Sequence, residues 1–230
     1  KLQGILNGID VENYNPETDA CIEKNFGVAD VKKGKAANKK ALQETMGLPQ
    51  REDVPVIGLV TRLVSHKGLD LIKGILDELL YTTDVQFVVL GSGDWQYENF
   101  FKEMADKYPD KIGVRIGFVP SLSRKIYAGA DLFLMPSKSE PCGLSQMIAS
   151  RYGTVPVVRE TGGLNDSIKG YTGVKGNGFT FHDYNAHDML YVVNEAIRTF
   201  KDKDAWADVQ RRAMTTDFSW NYQAGEYEKL

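Results

Sequence analysis

The sequence predicts an α/β fold: a parallel β-sheet with helices packed on both of its faces. Two observations carry this. Between residues 54 and 181, short apolar runs rich in β-branched residues alternate with stretches of helical spacing, the pattern of βαβ units. Each of the first five runs also ends in glycine, proline or charged residues just before the next helix. Right-handed crossovers bring the carboxyl ends of such strands to one edge, and in open α/β sheets that edge holds the ligand. There is no internal repeat and no low-complexity segment.

The elements follow in order. Residues 11–34 hold Asn13, Asn15, Pro16 and Gly27 and no clear period, so they read as an irregular connector. A short helix over Lys35 to Met46 is stopped by Gly47 and Pro49. Strands are predicted at Val54–Val60, Val85–Leu90, Gly113–Val119, Asp131–Met135 and Val155–Val158, with a short sixth at Phe179–Phe181. Helices alternate with them at Leu69–Leu80, Tyr97–Lys107, Leu122–Gly129 and Leu144–Tyr152. Three more close the chain: Asp188–Phe200, Ala205–Met214 and Tyr222–Leu230.

The 230 residues are enough for a proper core, and 42% hydrophobic with 26% charged residues is ordinary for a globular protein. A net charge of −3 gives no electrostatic case for nucleic acid or an anionic membrane as partner. The lysines between Lys32 and Lys40 read as a solvated face. Two cysteines, Cys21 and Cys142, cannot build a disulfide framework and lack metal-ligand spacing to a histidine, which favours a reducing compartment. His66, His182 and His187 are scattered, so no metal site is expected. No apolar run approaches the roughly 20 residues that span a bilayer, and no signal peptide is visible. The chain starts at Lys1 and enters directly into Gly4-Ile-Leu-Asn-Gly-Ile-Asp10, which reads as a fragment or a processed chain.

The strand ends carry the chemistry. After strand one, Arg62 and Lys67 stand five residues apart across a turn. Both can converge on one anion, and a diphosphate suits an arginine fork beside a lysine point charge; two unrelated surface cations are the plain alternative. After strand two, Gly91-Ser-Gly93 gives turn geometry, with room for contact to a nucleotide. After strand three, Phe118 either stacks on a base or belongs to the core, and residue type favours the core. After strand four comes Glu140-Pro-Cys-Gly-Leu-Ser145. Its carboxylate can accept from hydroxyls, while the N–H groups of the helix it opens can donate to phosphate. A plain surface carboxylate is the alternative for Glu140. After strand five, Gly162-Gly163 forms either a pocket of backbone N–H groups or a flexible loop. Cations, glycines, an aromatic and an acid on one rim point to a phosphate-bearing nucleotide joined to a polyhydroxylated group.

These residues, in this order, resemble the carboxyl-terminal domain of the bacterial glycogen synthase and plant starch synthase family, retaining glucosyltransferases with two facing Rossmann-like domains (the GT-B layout). The resemblance runs from Gly4 to Leu230. It rests chiefly on Gly4–Asp10, on Thr61-Arg-Leu-Val-Ser-His-Lys-Gly-Leu69 and on Ser139-Glu-Pro-Cys-Gly-Leu144. The stretch from Arg151-Tyr-Gly-Thr154 to Thr161-Gly-Gly-Leu164 completes it. It implies that residues 1–230 are one nucleotide-sugar-binding domain, with residues 1–10 an interdomain hinge. Residues 11–50 would be a connector with a short helix, and residues 217–230 a helix that crosses to an amino-terminal domain, its apolar face partly exposed.

Residue by residue, the resemblance implies that Arg62 and Lys67 hold the diphosphate of ADP-glucose and neutralise the leaving group. Glu140 would lie beside the glucosyl group, with Cys142, Gly143 and Leu144 giving backbone contacts to glucose hydroxyls. Ser145 would open the helix near the phosphates, Phe118 would stack on adenine, and Gly162 and Gly163 would shape the donor pocket. Many two-domain retaining glycosyltransferases carry a second glutamate eight residues after the first, gripping the ribose; here that position is Ile148, with Gln146 nearby, and the ribose partner stays unassigned. The family's Lys-Thr-Gly-Gly-Leu loop does not occur in this sequence. The implied reaction extends an α-1,4-glucan acceptor with retention, releasing ADP and needing no cofactor. It would take place in the bacterial cytoplasm, or in a plastid for a plant or algal source, and this chain alone would be inactive or nearly so.

Three rivals remain in view. A nicotinamide-dependent oxidoreductase wants G-x-G-x-x-G after its first strand, where this chain has Thr61-Arg62-Leu63. A phosphorylase needs a lysine-bound pyridoxal cofactor, for which no convincing site is visible. A non-catalytic nucleotide-sugar or carbohydrate-binding module would keep the binding residues without the chemistry.

Overall fold

The computed structural model describes residues 4–229. The first three residues of the expected hinge and Leu230 of the expected last helix lie outside the described residues. Six strands, β1 (Val56–Val60), β2 (Gln86–Gly91), β3 (Ile112–Ile116), β4 (Leu132–Met135), β5 (Val155–Arg159) and β6 (Phe179–Phe181), form one sheet in the order β3-β2-β1-β4-β5-β6. Every pairing is parallel. Nine helices accompany it among the described residues: α1 (Val31–Thr45), α2 (Leu69–Thr82), α3 (Trp95–Lys107), α4 (Pro120–Gly129), α5 (Ser145–Arg151), α6 (Gly162–Ser167), α7 (Ala186–Lys201), α8 (Lys203–Thr215) and α9 (Trp220–Tyr227).

The strands are apolar along their length because both faces are covered. On β2, Phe87 and Val89 pack with α2, α3 and α7, while Val88 and Leu90 turn the other way toward α1 and α4. On β4, Leu132 and Leu134 join the first layer, and Phe133 and Met135 face Met147, Tyr152 and Phe218 on the second. This alternation is the two-residue period of a strand. The Rossmann-like α/β prediction is correct.

Strand order reverses between β1 and β4, the place where such sheets open a crevice. The segments after these two strands touch there. The N–H of Lys138 donates to the carbonyl of His66 at 2.9 Å. Gly68, at φ +76°, comes so close to Pro136 that a Cβ would lie 2.0 Å from its carbonyl oxygen. Only glycine fits that approach.

Three expectations are corrected. Helix α1 starts at Val31, preceded by a 3-10 turn at Val28–Asp30, and not at Lys35. Its Gly34 looks like a breaker, yet a Cβ there would sit 2.2 Å from Phe26 Cβ, so packing of the connector favours glycine inside the helix.

The lysine run is not wholly a solvated face either: Lys35 and Lys39 are buried. The Lys35 ammonium donates to the carbonyls of Tyr127 and Ala130 and to Thr154 Oγ1, tying α1 to the end of α4. Burial pushes its pKa down to about 7, against the nearby Asp131 charge. Lys39 pairs with Asp131 at 2.8 Å, and that carboxylate also accepts the Val56 N–H. A buried cation with full hydrogen bonding replaces the apolar residue that helical period alone would ask for.

The third correction is α6, expected as a loop. Thr161, extended at φ −144° and ψ 133°, leads into it, and Leu164 and Ser167 bury its inner face.

Residues 8–11 run beside the start of α9. Ile9 bridges to Ser219, and the Gly8 backbone lies against Trp220. Arg151 fixes the strap by donating to the carbonyls of Tyr14 (2.7 Å) and Val11 (3.0 Å). On α9, Trp220, Tyr222 and Tyr227 are about half exposed. Among the described residues no helix is long and apolar enough to cross a membrane.

Candidate active site

The segment after β1 carries Arg62, a 3-10 turn over Ser65–Lys67, and Gly68. Lys67 points across the crevice to the segment after β4, where its ammonium meets Glu140 Oε2 at 2.5 Å. Ser137 Oγ donates to the same oxygen at 3.3 Å. Glu140 is only 9% exposed, so it is not a casual surface carboxylate. The pair keeps both charges in place at the cost of desolvating them, which a partly open site lowers. Among the described residues both hydrogen bonds to the carboxylate land on Oε2, so Oε1 is available to a hydroxyl-bearing ligand.

The segment after β5 presses on this one from the other side. Gly162, at φ +46°, would put a Cβ 2.3 Å from the Glu140 carbonyl oxygen, and Gly163 one 2.1 Å from that of Cys142. The Gly163 N–H donates to the Glu140 carbonyl at 3.0 Å. The two glycines therefore seat the Glu140 backbone. They are not an open nest of donors, since the Gly163 N–H is already spent. Replacing Gly163 with alanine is expected to force the Glu140–Cys142 segment away. Overpacking of this kind costs about 1–3 kcal/mol, so the unfolding midpoint should fall. An alanine variant with an unchanged midpoint would show that the seat is not tight.

The strand-two glycines have a similar use. A Cβ at Gly91 would meet the Thr61 carbonyl at 2.0 Å, and one at Gly93 the Leu63 carbonyl at 2.4 Å. Leu63 bridges to Gly93 in parallel. Close backbone packing, not a ligand, accounts for these residues.

Of the remaining predicted residues, Gly143 holds φ +71°, letting the chain turn into α5 at Ser145. Cys142 and Ser145 are half-buried and Leu144 is exposed. Arg62 is exposed and has no ion-pair partner among the described residues. Phe118 is 89% exposed, which overturns its reading as a core residue. It follows Gly117 (φ +137°), whose N–H bonds the Gly91 carbonyl, and so stands at the end of β3 beside β2. Ile148 is buried within the layer of α5 and cannot serve a ribose without leaving it. The structure thus gathers Lys67, Glu140, Cys142, Gly143, Gly162 and Gly163 in direct contact. Arg62 and Phe118 stand on the same edge without touching them.

Sequence reasoning missed the supports. Gln146 is fully buried, and the two N–H groups of its amide are shared among the carbonyls of Cys142 (3.1 Å) and Gly143 (2.9 Å) and Ser167 Oγ (3.0 Å), tying α5 to α6 under the site. Its position three and four residues after those carbonyls was the one available signal. Arg159, at the end of β5, donates to the Lys138 carbonyl at 2.9 Å. Its guanidinium lies 5.3 Å from the Tyr184 ring centre, and Tyr184 in turn donates to Asp70 at 2.5 Å. Burial first and then the hydrogen bond to Asp70 push the Tyr184 phenol well above its ordinary pKa, so it stays a donor. Nothing local in the sequence links these residues, which lie on different turns.

Such a crevice offers a cation and a carboxylate within one ion pair, a second cation on the same edge and an exposed aromatic. Those are the partners for a phosphate, a hydroxylated group and a flat ring. The chain is 52% identical over 230 residues to a glycogen synthase of Geobacillus thermodenitrificans, covering 99% of this chain and 47% of that protein. It is 53% identical to a glycogen synthase of Bacillus cereus, covering all of this chain and 48% of that protein. The chain thus spans about half the length of the curated relatives it matches. The catalytic domain of starch synthase IV from Arabidopsis thaliana, bound to ADP and acarbose, superimposes with a TM-score of 0.90 at 38% identity, over 98% of this chain and 48% of that one. The profile of the family described as glycosyl transferases group 1 matches residues 44–212, well over half of the sequence, and the chain belongs to that family.

Proposed function

We propose that this chain is the donor-binding, carboxyl-terminal half of a glycogen or starch synthase. The whole enzyme would transfer glucose from ADP-glucose to the non-reducing 4-hydroxyl of an α-1,4-glucan, with retention. The observation that carries this is the Lys67–Glu140 pair at the β1/β4 switch point, seated by Gly162 and Gly163. The ADP bound to the Arabidopsis relative supports the choice of nucleotide.

In this reading Lys67 and Arg62 take the diphosphate as charge builds on it, an electrostatic stabilisation that needs no metal. Lys67 is already held at the rim by Glu140, so little reorganisation remains when the donor arrives. Glu140 Oε1 then faces the glucosyl hydroxyls, and the backbone of Cys142, Gly143 and Leu144 lines the same side. Phe118, exposed at the end of β3, would stack on adenine. Double displacement with a carboxylate nucleophile is the usual route to retention. Glu140 is poorly suited to it, because its charge is committed to Lys67 and its neighbours seat it as a hydrogen-bond acceptor. Front-face attack, with the leaving phosphate taking the acceptor's proton, fits the site better. The partner that closes the cleft is an amino-terminal domain of the same enzyme, which residues 4–11 and α9 would join to this half. The reaction belongs in the bacterial cytoplasm, or in a plastid if the source is plant or algal.

The test is glucan elongation by the full-length enzyme with ADP-glucose and UDP-glucose as competing donors. Elongation preferring ADP-glucose, with an α-linked product and no glucosyl ester on Glu140, is expected. Donor binding without any transfer would instead make the protein a nucleotide-sugar-binding module, and a trapped ester on Glu140 would overturn the front-face route.

A further inference from the structure

Away from the strand ends discussed above, a hollow of about 380 Å³ opens between the end of α8 and the segment joining α6 to β6. Lys169, Arg211 and Arg212 line it, together with Asn177, Thr215 and Thr216. None of the residues assigned to the donor is among them.

The charges there do not cancel. Arg211 and Arg212, consecutive on the last turns of α8, both reach back to Asp208. Arg211 Nη2 meets one carboxylate oxygen at 2.8 Å, and Arg212 Nε meets the other at 2.7 Å. One carboxylate thus serves two guanidiniums, and each keeps further N–H groups, including both terminal nitrogens of Arg212. Arg212 first and then Arg211 hold Asp208 below the usual carboxylate range, so it stays ionised near neutral pH. Lys169 Nζ donates to the Asn165 carbonyl at 2.5 Å and has two protons left. Among the lining residues and their ion-pair partners, three cations stand against the one carboxylate of Asp208, on a chain whose net charge is −3.

The walls are also fixed relative to each other. Asn177 is buried, accepts the Lys169 N–H at 2.8 Å, and donates to the Ser167 carbonyl at 3.1 Å and to Thr216 Oγ1 at 3.3 Å. It joins the Lys169 side to the α8 side. At the end of α8 the last carbonyls would repel an anion. Thr215 and Thr216 donate their hydroxyls to the Arg211 and Arg212 carbonyls, at 2.9 and 2.8 Å, which offsets part of that field.

We propose that this hollow binds a phosphoryl group, either as free phosphate or as the ester of a small metabolite. Two guanidinium forks and an ammonium are the donor set that tetrahedral oxyanions take. The volume exceeds what one phosphate fills and falls in the range of small-molecule sites. The site stands independently of the proposed transfer reaction.

Calorimetric titration of the full-length enzyme with inorganic phosphate, and separately with glycerol phosphate, tests it. The variants are Lys169→Gln, the double variant Arg211→Gln/Arg212→Gln, and Arg62→Ala as the donor-rim control. Binding is expected in the wild type and in Arg62→Ala, at least tenfold weaker in Lys169→Gln, and lost in the double variant. Lys169→Gln leaves the Asp208 pairs intact, so it decides the matter even if the double variant does not fold. Tighter binding of glycerol phosphate identifies an ester as the ligand, and tighter binding of inorganic phosphate identifies the free ion. No binding by the wild type, equal affinity in Lys169→Gln, or loss on Arg62→Ala would each overturn the proposal.

Discussion

Replacing Lys67 with alanine in the full-length enzyme should lower turnover by about 100- to 1,000-fold, the usual loss when one preorganised donor to a developing oxyanion is removed. In the proposed reaction the diphosphate is already anionic when bound and gains further charge as the donor bond breaks, so turnover should fall and kcat/KM should fall at least as far. The same change strands Glu140, which is nearly buried and, among the described residues, keeps only Ser137 as a hydrogen-bond donor. Breaking a buried pair from one side costs about 3–5 kcal/mol. Some exposure remains on both side chains, so the loss here should lie at or below the lower end. Adding Glu140→Gln removes the stranded charge. The double variant should therefore regain stability while turnover stays low. Steady-state kinetics with unfolding curves on the two single variants and the double one separates these effects. An unchanged rate in Lys67→Ala would remove that residue from the site.

The isolated 230-residue chain should bind ADP weakly and elongate glucan at a negligible rate. Positioning two reactants contributes about 7–11 kcal/mol in well-oriented systems. The chain spans about half the length of the curated relatives it matches, and in the proposed reading the wall that orients the acceptor lies in the other half. The exposed Arg62, Phe118 and Leu144, and the half-exposed aromatics of α9, are surfaces that a facing domain would cover in part. Incorporation of labelled glucose into glucan, measured for the chain alone and for the full-length enzyme at equal concentration, gives the comparison. Clear elongation by the chain alone would mean that the complete catalytic apparatus lies within these residues.

Most of the sheet is legible in the sequence because strand burial on two faces leaves an unambiguous apolar run. Val85–Leu90 was expected and Gln86–Gly91 is found; Asp131–Met135 was expected and Leu132–Met135 is found. Strand three was the weakest boundary: Gly113–Val119 was expected, but the chain leaves the sheet after Ile116, where Gly117 takes φ +137°. What failed was set by distant partners. Gly34 sits in a helix because Phe26 presses on it, and Lys35 is buried because three acceptors on α4 and beyond receive it. Local propensity contains neither fact.

The candidate site shows the same division. Glu140 and Lys67 stand out by residue type at strand ends, and the topology brings them together. That they form an ion pair, that the paired glycines seat a backbone, and that Gln146 and Arg159 brace it all depend on contacts between separate turns. Phe118 was misjudged for the opposite reason. An aromatic is a fair bet for the core by type, and only the geometry after β3 turns it to solvent.

The central claim is that Lys67, Arg62, Glu140 and the Gly162–Gly163 turn border one crevice that holds an activated sugar. A crystal structure of the full-length enzyme with ADP-glucose bound tests it most directly. The diphosphate should lie about 3 Å from Lys67 Nζ and from the Arg62 guanidinium, with the glucosyl ring against Glu140 and the backbone of Cys142–Leu144. A donor seated elsewhere, with Lys67 still paired only to Glu140 and Arg62 in solvent, would contradict the account.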